Sequence, residues 1–445
     1  MSLVAGIDVA TAAVRVAVHA ADGARLAEAT RPLPAPVRPG DGRSEQDAAS
    51  WWPAVADALA ESTAALGSRA AEIRSLAVSA TSGTAVLVDA AGIPLRPALM
   101  YDDRRATGVA RVALLADGFE DRAARLCHTP DLLCWHLIGE PVGTDSSHAL
   151  KTGYDPMRGE WARSDFDALL PPVARPTTVL GTVSAAAARR TGLPAGCEVR
   201  AGMTDGCAGQ LACGAVDVGS FVTVIGTTLV IKGVSREPVH DPSGVVYSHR
   251  HPDGAWLPGG ASNTGGSALS DVAPGELAKL DAAAARHGPS TVVDYPLRGT
   301  GERFPFLAPS AHGFTVGEPV DAVDTHRARL EGVAFCERLA LERLASLGAP
   351  AEPPVRTAGG GARSLVWCRI RASVLGEPVC RTRRADTALG AALLAAAGSV
   401  HDDLRSAAAA MVPEPELVNP ERGEIAVLDE HYQRFVDELR TRGWA

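Results

Sequence analysis

The chain has 445 residues, of which 46% are hydrophobic and 21% charged, and its formal net charge is −9. This balance is typical of a globular protein with two or three domains, and it excludes a disordered chain, a collagen-like fibre and a small disulfide scaffold. The acidic excess argues against a surface that binds a nucleic-acid backbone, but it allows a small nucleotide ligand.

The first predicted elements are three short strands near the N-terminus. Residues 3–7 and 14–19 are typical of strands on either side of the loop 8–13, and a turn at Asp22-Gly23 leads to the third strand. A helix with Asp47 as its N-cap follows, and strands are predicted at 73–79 and 85–88. This alternation of strands and helices indicates an α/β fold.

A second strand–loop–strand unit begins halfway along the chain. Strands at 221–225 and 229–232 flank a short loop, and a further strand is predicted at 355–357. Helices are predicted at 365–374 and 431–442, and a long one between Asp324 as its cap and Gly348 as its stop. Because the unit repeats the N-terminal arrangement, we expect two related domains, 1–213 and 214–445.

The N-terminus, the most apolar later stretch and the cysteines indicate the cellular compartment of the protein. The N-terminus lacks a secretory signal, and the apolar stretch 388–398 is too short and alanine-rich to span a bilayer. The eight cysteines form no C-x-x-C pair and stand mostly among apolar neighbours. We therefore expect a reduced, cytoplasmic protein that acts on small molecules, without a membrane or nucleic-acid partner.

Two loops have the composition of phosphate-binding turns. Asp8 and Thr11 follow the first strand, where a carboxylate can hold hydrated Mg²⁺ and a hydroxyl can face phosphate oxygens. Gly226 and Thr227 offer similar groups in the second unit. Ordinary turn chemistry explains each loop equally well when it is taken alone.

The run Gly359-Gly360-Gly361 lies between a predicted strand and a predicted helix. Glycines there allow the backbone to approach a flat ligand, and the helix N-terminus can face an anion. A flexible turn is the alternative. The run is neither a P-loop nor a dinucleotide fingerprint.

Asp205 follows the short apolar strand 199–201 and is a candidate general base. Phosphoryl transfer to a hydroxyl needs a carboxylate that accepts the hydroxyl proton. Spacing alone favours another role, the N-cap of a helix over 206–213.

In order and spacing, these segments resemble the FGGY family of carbohydrate kinases, within the actin-like ATPase fold. The resemblance runs from Gly6 to about Gly398 and includes Gly-Ile-Asp at 6–8, Glu-Gln-Asp at 45–47, Gly-Glu-Arg at 301–303 and Gly-Gly-Gly-Ala-Arg-Ser at 359–364. It implies an α/β chain of two actin-like ATPase (ribonuclease H-like) domains with a catalytic cleft between them. The first domain would hold sugar and phosphate, and the second adenine.

Within the family, several segments look closest to the D-ribulokinase-like branch, among them Thr-Ser-Gly-Thr at 81–84 and the stretch 259–266. The resemblance implies an enzyme that transfers the γ-phosphoryl group of ATP, with Mg²⁺, to the terminal hydroxyl of a ketopentose. D-ribulose, giving D-ribulose 5-phosphate, is the expected substrate. The alternatives are a xylulokinase, another FGGY sugar or polyol kinase, or a weakened sugar-binding regulatory relative. A homodimer is compatible with the resemblance.

The family also implies roles for individual residues. Asp205 would be the catalytic base, and Asp8 would lie near the metal. The remaining positions fall into three groups: Ser82, Asp103 and Asp205 at the sugar; Thr11, Gly226 and Thr227 at the phosphates; and Gly359, Gly360, Gly361, Ser364 and Trp367 at the adenine.

The chain departs from the family pattern at Ala10 and Ala12, where relatives carry Gly and Ser or Thr. Ala10 adds a methyl group where phosphate would approach the backbone. Ala12 removes a hydroxyl donor, a loss of about 0.5–1.5 kcal/mol if that bond is made. These changes leave three alternatives open: weaker ATP binding, slower turnover, or a non-catalytic relative.

Overall fold

The computed structural model of the protein describes residues 2–382 and 386–445. They divide into two compact units. The first comprises 1–214, 249–254 and 386–412, and the second comprises 215–248, 255–385 and 413–445. The sequence analysis expected a single domain boundary at residues 213/214, and the structure has one boundary after residue 214. The segment 386–412, however, belongs to the first unit, because the helix that it contains packs on the first unit's sheet.

The helices of the described residues are α1 Trp51–Leu66, α2 Ala110–Ala116, α3 Thr129–Ile138, α4 Ser146–Ala149, α5 Ala185–Thr191, α6 Asp205–Ala212, α7 Pro274–His287, α8 Ala322–Ser346, α9 Leu365–Leu375, α10 Thr387–Ala396, α11 Leu404–Met411 and α12 Ile425–Thr441. None of these helices is long and apolar enough to cross a membrane.

The strands of the described residues are β1 Leu3–Val9, β2 Ala13–Ala20, β3 Arg25–Pro32, β4 Glu45–Gln46, β5 Ile73–Ala80, β6 Ala85–Val88, β7 Ala98–Leu99, β8 Arg125–His128, β9 Thr144–Asp145, β10 Tyr154–Asp155, β11 Glu160–Trp161, β12 Val173–Ala174, β13 Val179–Thr182, β14 Glu198–Arg200, β15 Phe221–Ile225, β16 Leu229–Gly233, β17 Tyr247–Arg250, β18 Trp256–Ser262, β19 Val293–Glu302, β20 Ala308–Val316, β21 Val355–Gly359, β22 Val379–Arg381 and β23 Glu416–Val418.

The first unit is built on a six-stranded sheet in the order β13-β14-β5-β1-β2-β3. β1 pairs antiparallel with β2 and parallel with β5, and every residue of β1 is buried. α1 packs on β2 and β3, and α10 packs on β1 and β5. Gly6 makes the second contact possible, because a Cβ there would lie 1.8 Å from the carbonyl oxygen of Ala388.

The second unit repeats this plan. Its seven-stranded sheet has the order β17-β18-β16-β15-β21-β22-β23. β15 pairs antiparallel with β16 and parallel with β21, as β1 pairs with β2 and β5. α8, α9 and α12 cover its core. The expected duplication is therefore confirmed at the level of strand order, and both units are α/β.

Three predicted helix starts differ from the structure. Asp47 caps a short 3₁₀ turn, Ala48–Ser50, that precedes α1. The prediction that Asp324 caps the long helix is wrong, because Asp321 is the N-cap of α8 and accepts the backbone N–H of Asp324. The last helix begins at Ile425, six residues before its predicted start. Its first turns are amphipathic, but they lack an N-capping side chain that would mark them.

All eight cysteines are buried thiols without disulfides, as their apolar neighbours predicted. Burial raises the pKa of Cys197 to about 12, so this thiol stays protonated near neutral pH. The thiols serve as small core side chains.

Candidate active site

Asp8 lies near the end of β1, where the pairing places it beside Arg15 of β2 and Ser79 of β5. Only 6% of Asp8 is exposed, and among the described residues its Oδ1 atom has no hydrogen-bond partner. Arg15 Nη1 is 3.9 Å from Oδ2, too far for a hydrogen bond. The carboxylate is thus buried without full compensation of its charge.

Two further carboxylates of the first unit repel the charge of Asp8. Burial raises the pKa of Asp8 to about 7, and Asp205 and Asp386 act in the same direction, whereas Arg15 opposes them. Asp205 is 197 residues away in sequence (205 − 8), so the fold brings together the two acids that the sequence analysis selected. Within residues 2–382 and 386–445, no three or more His, Cys, Asp or Glu side chains form a ready-made metal site.

Asp205 is the first residue of α6, and its side chain is partly exposed. The N-cap is Thr204, so the capping role that spacing alone favoured for Asp205 is wrong. Two glycines, Gly202 and Gly390, allow the backbone around this helix to pack closely against neighbouring elements. A Cβ on Gly202 would lie 1.9 Å from the Val78 carbonyl oxygen, and one on Gly390 would lie 1.9 Å from that of Ala208.

The loop after β1 is anchored by backbone and side-chain hydrogen bonds. Gln46 Nε2 donates to the Thr11 carbonyl oxygen at 2.9 Å, and the N–H of Ala10 donates to Ala13 at 3.0 Å. The N–H of Leu33 donates to the carbonyl of Ala12 at 2.8 Å. Ala10 and Ala12 are exposed, and Thr11 is partly exposed. The loop is therefore ordered and open to a ligand.

Ser82 and Asp103 differ in whether their polar atoms already have hydrogen-bond partners within the protein. Ser82 Oγ is buried and has no hydrogen-bond partner among the described residues. Asp103 is 4% exposed, and its carboxylate accepts the N–H of Ser44 at 2.8 Å and Arg105 Nη2 at 2.7 Å. Burial would raise the pKa of Asp103, but the hydrogen bonds from Arg105 and Ser44 lower it.

In the second unit, Gly226 and Thr227 form the exposed tip between β15 and β16. The N–H of Gly226 donates to Thr228 at 2.9 Å and closes the turn. Gly226 and Thr227 in turn accept the N–H groups of Gly266 at 2.8 Å and Ser267 at 3.0 Å. The neighbouring segment thus holds the tip by its carbonyls.

The triple-glycine corner lines a cavity of about 580 Å³ within the second unit. Gly359 has φ +83°, and a Cβ there would lie 2.7 Å from the Ile225 carbonyl oxygen, so only glycine fits. The cavity's other walls include Arg363, Arg381 and Thr382. The hydroxyl of Thr382 is buried and has no partner among the described residues. The cavity therefore combines a bare backbone with a few polar groups.

Ser364 and Trp367 are engaged within the protein. Ser364 Oγ donates to Asp281 Oδ2 at 2.5 Å and accepts the N–H of Trp367 at 3.1 Å, which caps α9. Trp367 is 4% exposed, and its indole N–H donates to the Leu330 carbonyl at 3.0 Å. The indole is part of the core, which leaves it little surface to offer an adenine ring.

Sequence reasoning missed two groups at this site. One is Asp386, which caps α10 through the N–H of Leu389 and acts on Asp8 from the end of that helix. An Asp before an apolar helical run is an N-cap signal that could have found the helix start. The other is the buried group of Asp145, Ser147 and His148, whose contact with Thr204 has no local signal in the sequence.

Comparisons with known proteins show which family the chain resembles. The N-terminal domain signature of the FGGY family of carbohydrate kinases matches residues 3–114, and the C-terminal domain signature matches residues 221–399. A xylulose kinase of Streptomyces coelicolor is 31% identical over 439 residues, which cover 88% of this chain and 87% of that protein. A ribulokinase of Mycolicibacterium smegmatis is 30% identical but covers 63% of this chain and 56% of its own length.

A solved structure agrees over nearly the whole chain. The xylulose kinase from Rhodospirillum rubrum has a TM-score of 0.87 and 28% sequence identity, and the match covers 99% of this chain and 98% of that one. The family assignment rests on both domain signatures, on the duplicated strand order and on a relative that matches most of the chain. The chain therefore belongs to the FGGY family of carbohydrate kinases and is an ATP-dependent sugar kinase.

Proposed function

We propose that this enzyme phosphorylates the terminal hydroxyl of a ketopentose, with xylulose as the preferred substrate. The support is that relatives matched over most of the chain are mainly named xylulose kinases, whereas the ribulokinase matches a shorter part. D-ribulose, which the local motifs favoured, becomes the second candidate. The motif Thr-Ser-Gly-Thr at 81–84, which resembles the D-ribulokinase-like branch, is the reason to test D-ribulose as well.

Asp205 is the base in this proposal, and the observation that carries it is the electrostatic contact between Asp205 and Asp8. The sugar oxygen attacks the γ-phosphorus of ATP, the bond to the leaving ADP oxygen breaks, and Asp205 accepts the hydroxyl proton. A partly exposed carboxylate at the start of a helix can reach a substrate while its backbone stays fixed.

Asp8 fits the role of a Mg²⁺ anchor. Its Oδ1 atom has no hydrogen-bond partner in the described part of the chain, and the neighbouring acids Asp205 and Asp386 repel its charge, which a divalent cation would offset. Mg²⁺ keeps several waters and binds through one or two carboxylates and the substrate phosphates. It therefore does not need a cluster of three protein ligands, and the residues that the structure describes contain none. When bound, the ion would neutralise charge on the phosphates.

The substrates would contact the remaining predicted residues. We place the sugar at Ser82, whose hydroxyl has no internal partner among the described residues. Asp103 supports the site through Arg105, because its own carboxylate is already engaged. The phosphates would meet Thr11, Gly226 and Thr227. The adenine would lie in the cavity beside Gly359, Gly360 and Gly361, with Ser364 holding the corner and Trp367 supporting it from the core.

A coupled assay of ADP release over free sugars tests the substrate. The panel contains D-xylulose, L-xylulose, D-ribulose, L-ribulose, glycerol and gluconate. We expect the highest kcat/KM for a xylulose. A higher value for D-ribulose would support the second candidate, and a highest value for glycerol or gluconate would contradict the ketopentose assignment.

The variant Asp205→Asn tests the base. We expect phosphorylation to fall by at least about 10³-fold while calorimetric sugar affinity stays near the wild-type value, since the amide keeps the shape but takes no proton. Asp402→Asn, at an exposed acid of the same unit, is the matched control. Turnover of Asp205→Asn close to that of the control would remove Asp205 from the mechanism.

A further inference from the structure

A chain of buried hydrogen bonds ends on the backbone of Thr204, the residue that precedes Asp205. The Thr204 N–H donates to Ser147 Oγ at 2.9 Å, and the Ser147 hydroxyl donates to Asp145 Oδ1 at 2.5 Å. Ser147 and Thr204 are both buried. Because a hydroxyl carries one proton, the bond to Asp145 leaves only lone pairs for Thr204 and fixes Ser147 as the acceptor.

Asp145 is held in turn by the helix that it caps. It accepts the N–H groups of Ser147 at 2.9 Å and His148 at 3.1 Å, and its second oxygen bonds to His148 Nδ1. His148 Nε2 lies 3.2 Å from the Ala80 carbonyl oxygen. Both partners of the ring are acceptors, so both ring nitrogens donate, and the pair is a buried imidazolium–carboxylate pair.

The electrostatics agree with this assignment. Burial alone would lower the pKa of His148, but the charge of Asp145 and the hydrogen bond to it raise that pKa. Burial would likewise raise the pKa of Asp145, and His148 lowers it. The two pKa shifts thus both favour the ion pair that the hydrogen bonds indicate, and each partner keeps the other in place.

This group connects the stems of two segments that carry proposed site residues. Ala80 is the last residue of β5 and precedes Thr81-Ser82, whereas Thr204 directly precedes Asp205. Ala80 and Thr204 also form a parallel β-bridge. Thr204 makes no side-chain capping bond of its own, so its backbone is held by these contacts. Any shift of Ser147 or Asp145 would move the first turn of α6.

We propose that Ser147, Asp145 and His148 are positioning residues that fix the backbone carrying Asp205 against the stem of the sugar-binding segment. This rests on the proposed function, in which Asp205 takes the proton of the sugar hydroxyl. None of the three touches the reacting atoms. They act by setting where the carboxylate stands, and a displacement of about 1 Å is enough to slow a reaction by about 10²-fold.

The variant Ser147→Ala tests this role, with Ser146→Ala as the matched control. Ser146 lies next to Ser147 on α4 and is buried too, but its hydroxyl has no partner among the described residues. We expect Ser147→Ala to lower kcat by about 10- to 100-fold. The KM for sugar and the calorimetric sugar affinity should stay within about threefold of the wild type. Ser146→Ala should match the wild type in all three quantities.

A kcat for Ser147→Ala within about twofold of the Ser146→Ala value would overturn the proposal. So would a joint loss of kcat and sugar affinity, because that pattern reports general damage to the fold. The variant Asp205→Asn separates the two claims. If it is inactive while Ser147→Ala matches its control, only the positioning role fails, and if Asp205→Asn turns over normally, the proposed base fails.

Ser147→Cys covers the case in which the alanine variant does not fold. Its thiol is a weaker hydrogen-bond acceptor than a hydroxyl but fills similar space. We expect a kcat lowered by a few-fold, again with sugar affinity unchanged. A folded Ser147→Cys enzyme with wild-type kcat would overturn the proposal.

Discussion

We predict that the buried charge of Asp8 lowers the stability of the folded enzyme. The pKa of Asp8 is raised from 3.8 to about 7 because the side chain is buried and because Asp205 and Asp386 repel its charge. The variant Asp8→Asn keeps the shape and removes the charge. We therefore expect it to be inactive as a kinase and yet more stable than the wild type above pH 7.

The sign and size of the effect follow from proton binding. Between about pH 4 and pH 7 the unfolded chain releases this proton and the folded chain keeps it, so wild-type stability falls as the pH rises through that window. A pKa raised from 3.8 to about 7 corresponds to roughly 4 kcal/mol, since each tenfold change in proton affinity is worth about 1.4 kcal/mol. The Asn amide N–H groups need acceptors that the carboxylate did not need, and this offsets part of the gain.

The measurement is thermal unfolding of the ligand-free protein from pH 5 to pH 8. We expect Asp8→Asn to gain about 2–4 kcal/mol at pH 8, or roughly 4–16 °C in Tm, and the gain should shrink towards pH 4. Asp402→Asn, at an exposed acid of the same unit, should show no such trend. A gain that is equal at pH 5 and pH 8, or a variant that is less stable at pH 8, would refute the electrostatic explanation.

Three further variants test other parts of the structure. In the wild type, both carboxylate oxygens of Glu337 accept hydrogen bonds at 2.6 Å from the buried guanidinium of Arg371. Glu337→Gln removes this carboxylate and should lower the free energy of unfolding by about 3–5 kcal/mol, measured by urea titration. A loss below about 1 kcal/mol would contradict this. The double variant Ala10→Gly with Ala12→Ser should lower the KM for ATP by about 2- to 10-fold, and an unchanged KM would show that the loop is not deficient. Gly6→Ala should abolish soluble expression, because its methyl group would overlap the backbone of α10, and a soluble variant with wild-type Tm would contradict that contact.

Local pattern was enough to predict the strands of both hairpins. The bounds of β6 and β15 agree with the predicted ranges, and β1, β2 and β16 differ by only one or two residues. Apolar runs of strand length that end at glycine, aspartate or threonine turns carry this information within a few residues. The duplication could be predicted for the same reason, since both units begin with such a hairpin.

Contacts between distant segments could not be predicted. The bond between Thr204 and Ser147 joins residues 57 apart, and nothing in either neighbourhood marks the other as its partner. Trp367 shows a different limit. The sequence placed it next to the triple-glycine corner, but which face of α9 packs into the core is decided by the surrounding helices, and the indole faces inward. The helix propensity of individual residues does not determine which face of a helix packs into the core.

The return of residues 386–412 to the first unit has a consequence for biosynthesis. β1 leaves the ribosome well before α10, which covers it and follows only after most of the second unit has been translated. Until then the stripe around Gly6 has no covering helix and is an apolar surface for chaperones to hold or for other nascent chains to aggregate on. Nascent chains stalled before residue 386 should therefore hold a six-stranded N-terminal sheet that lacks the helix covering β1.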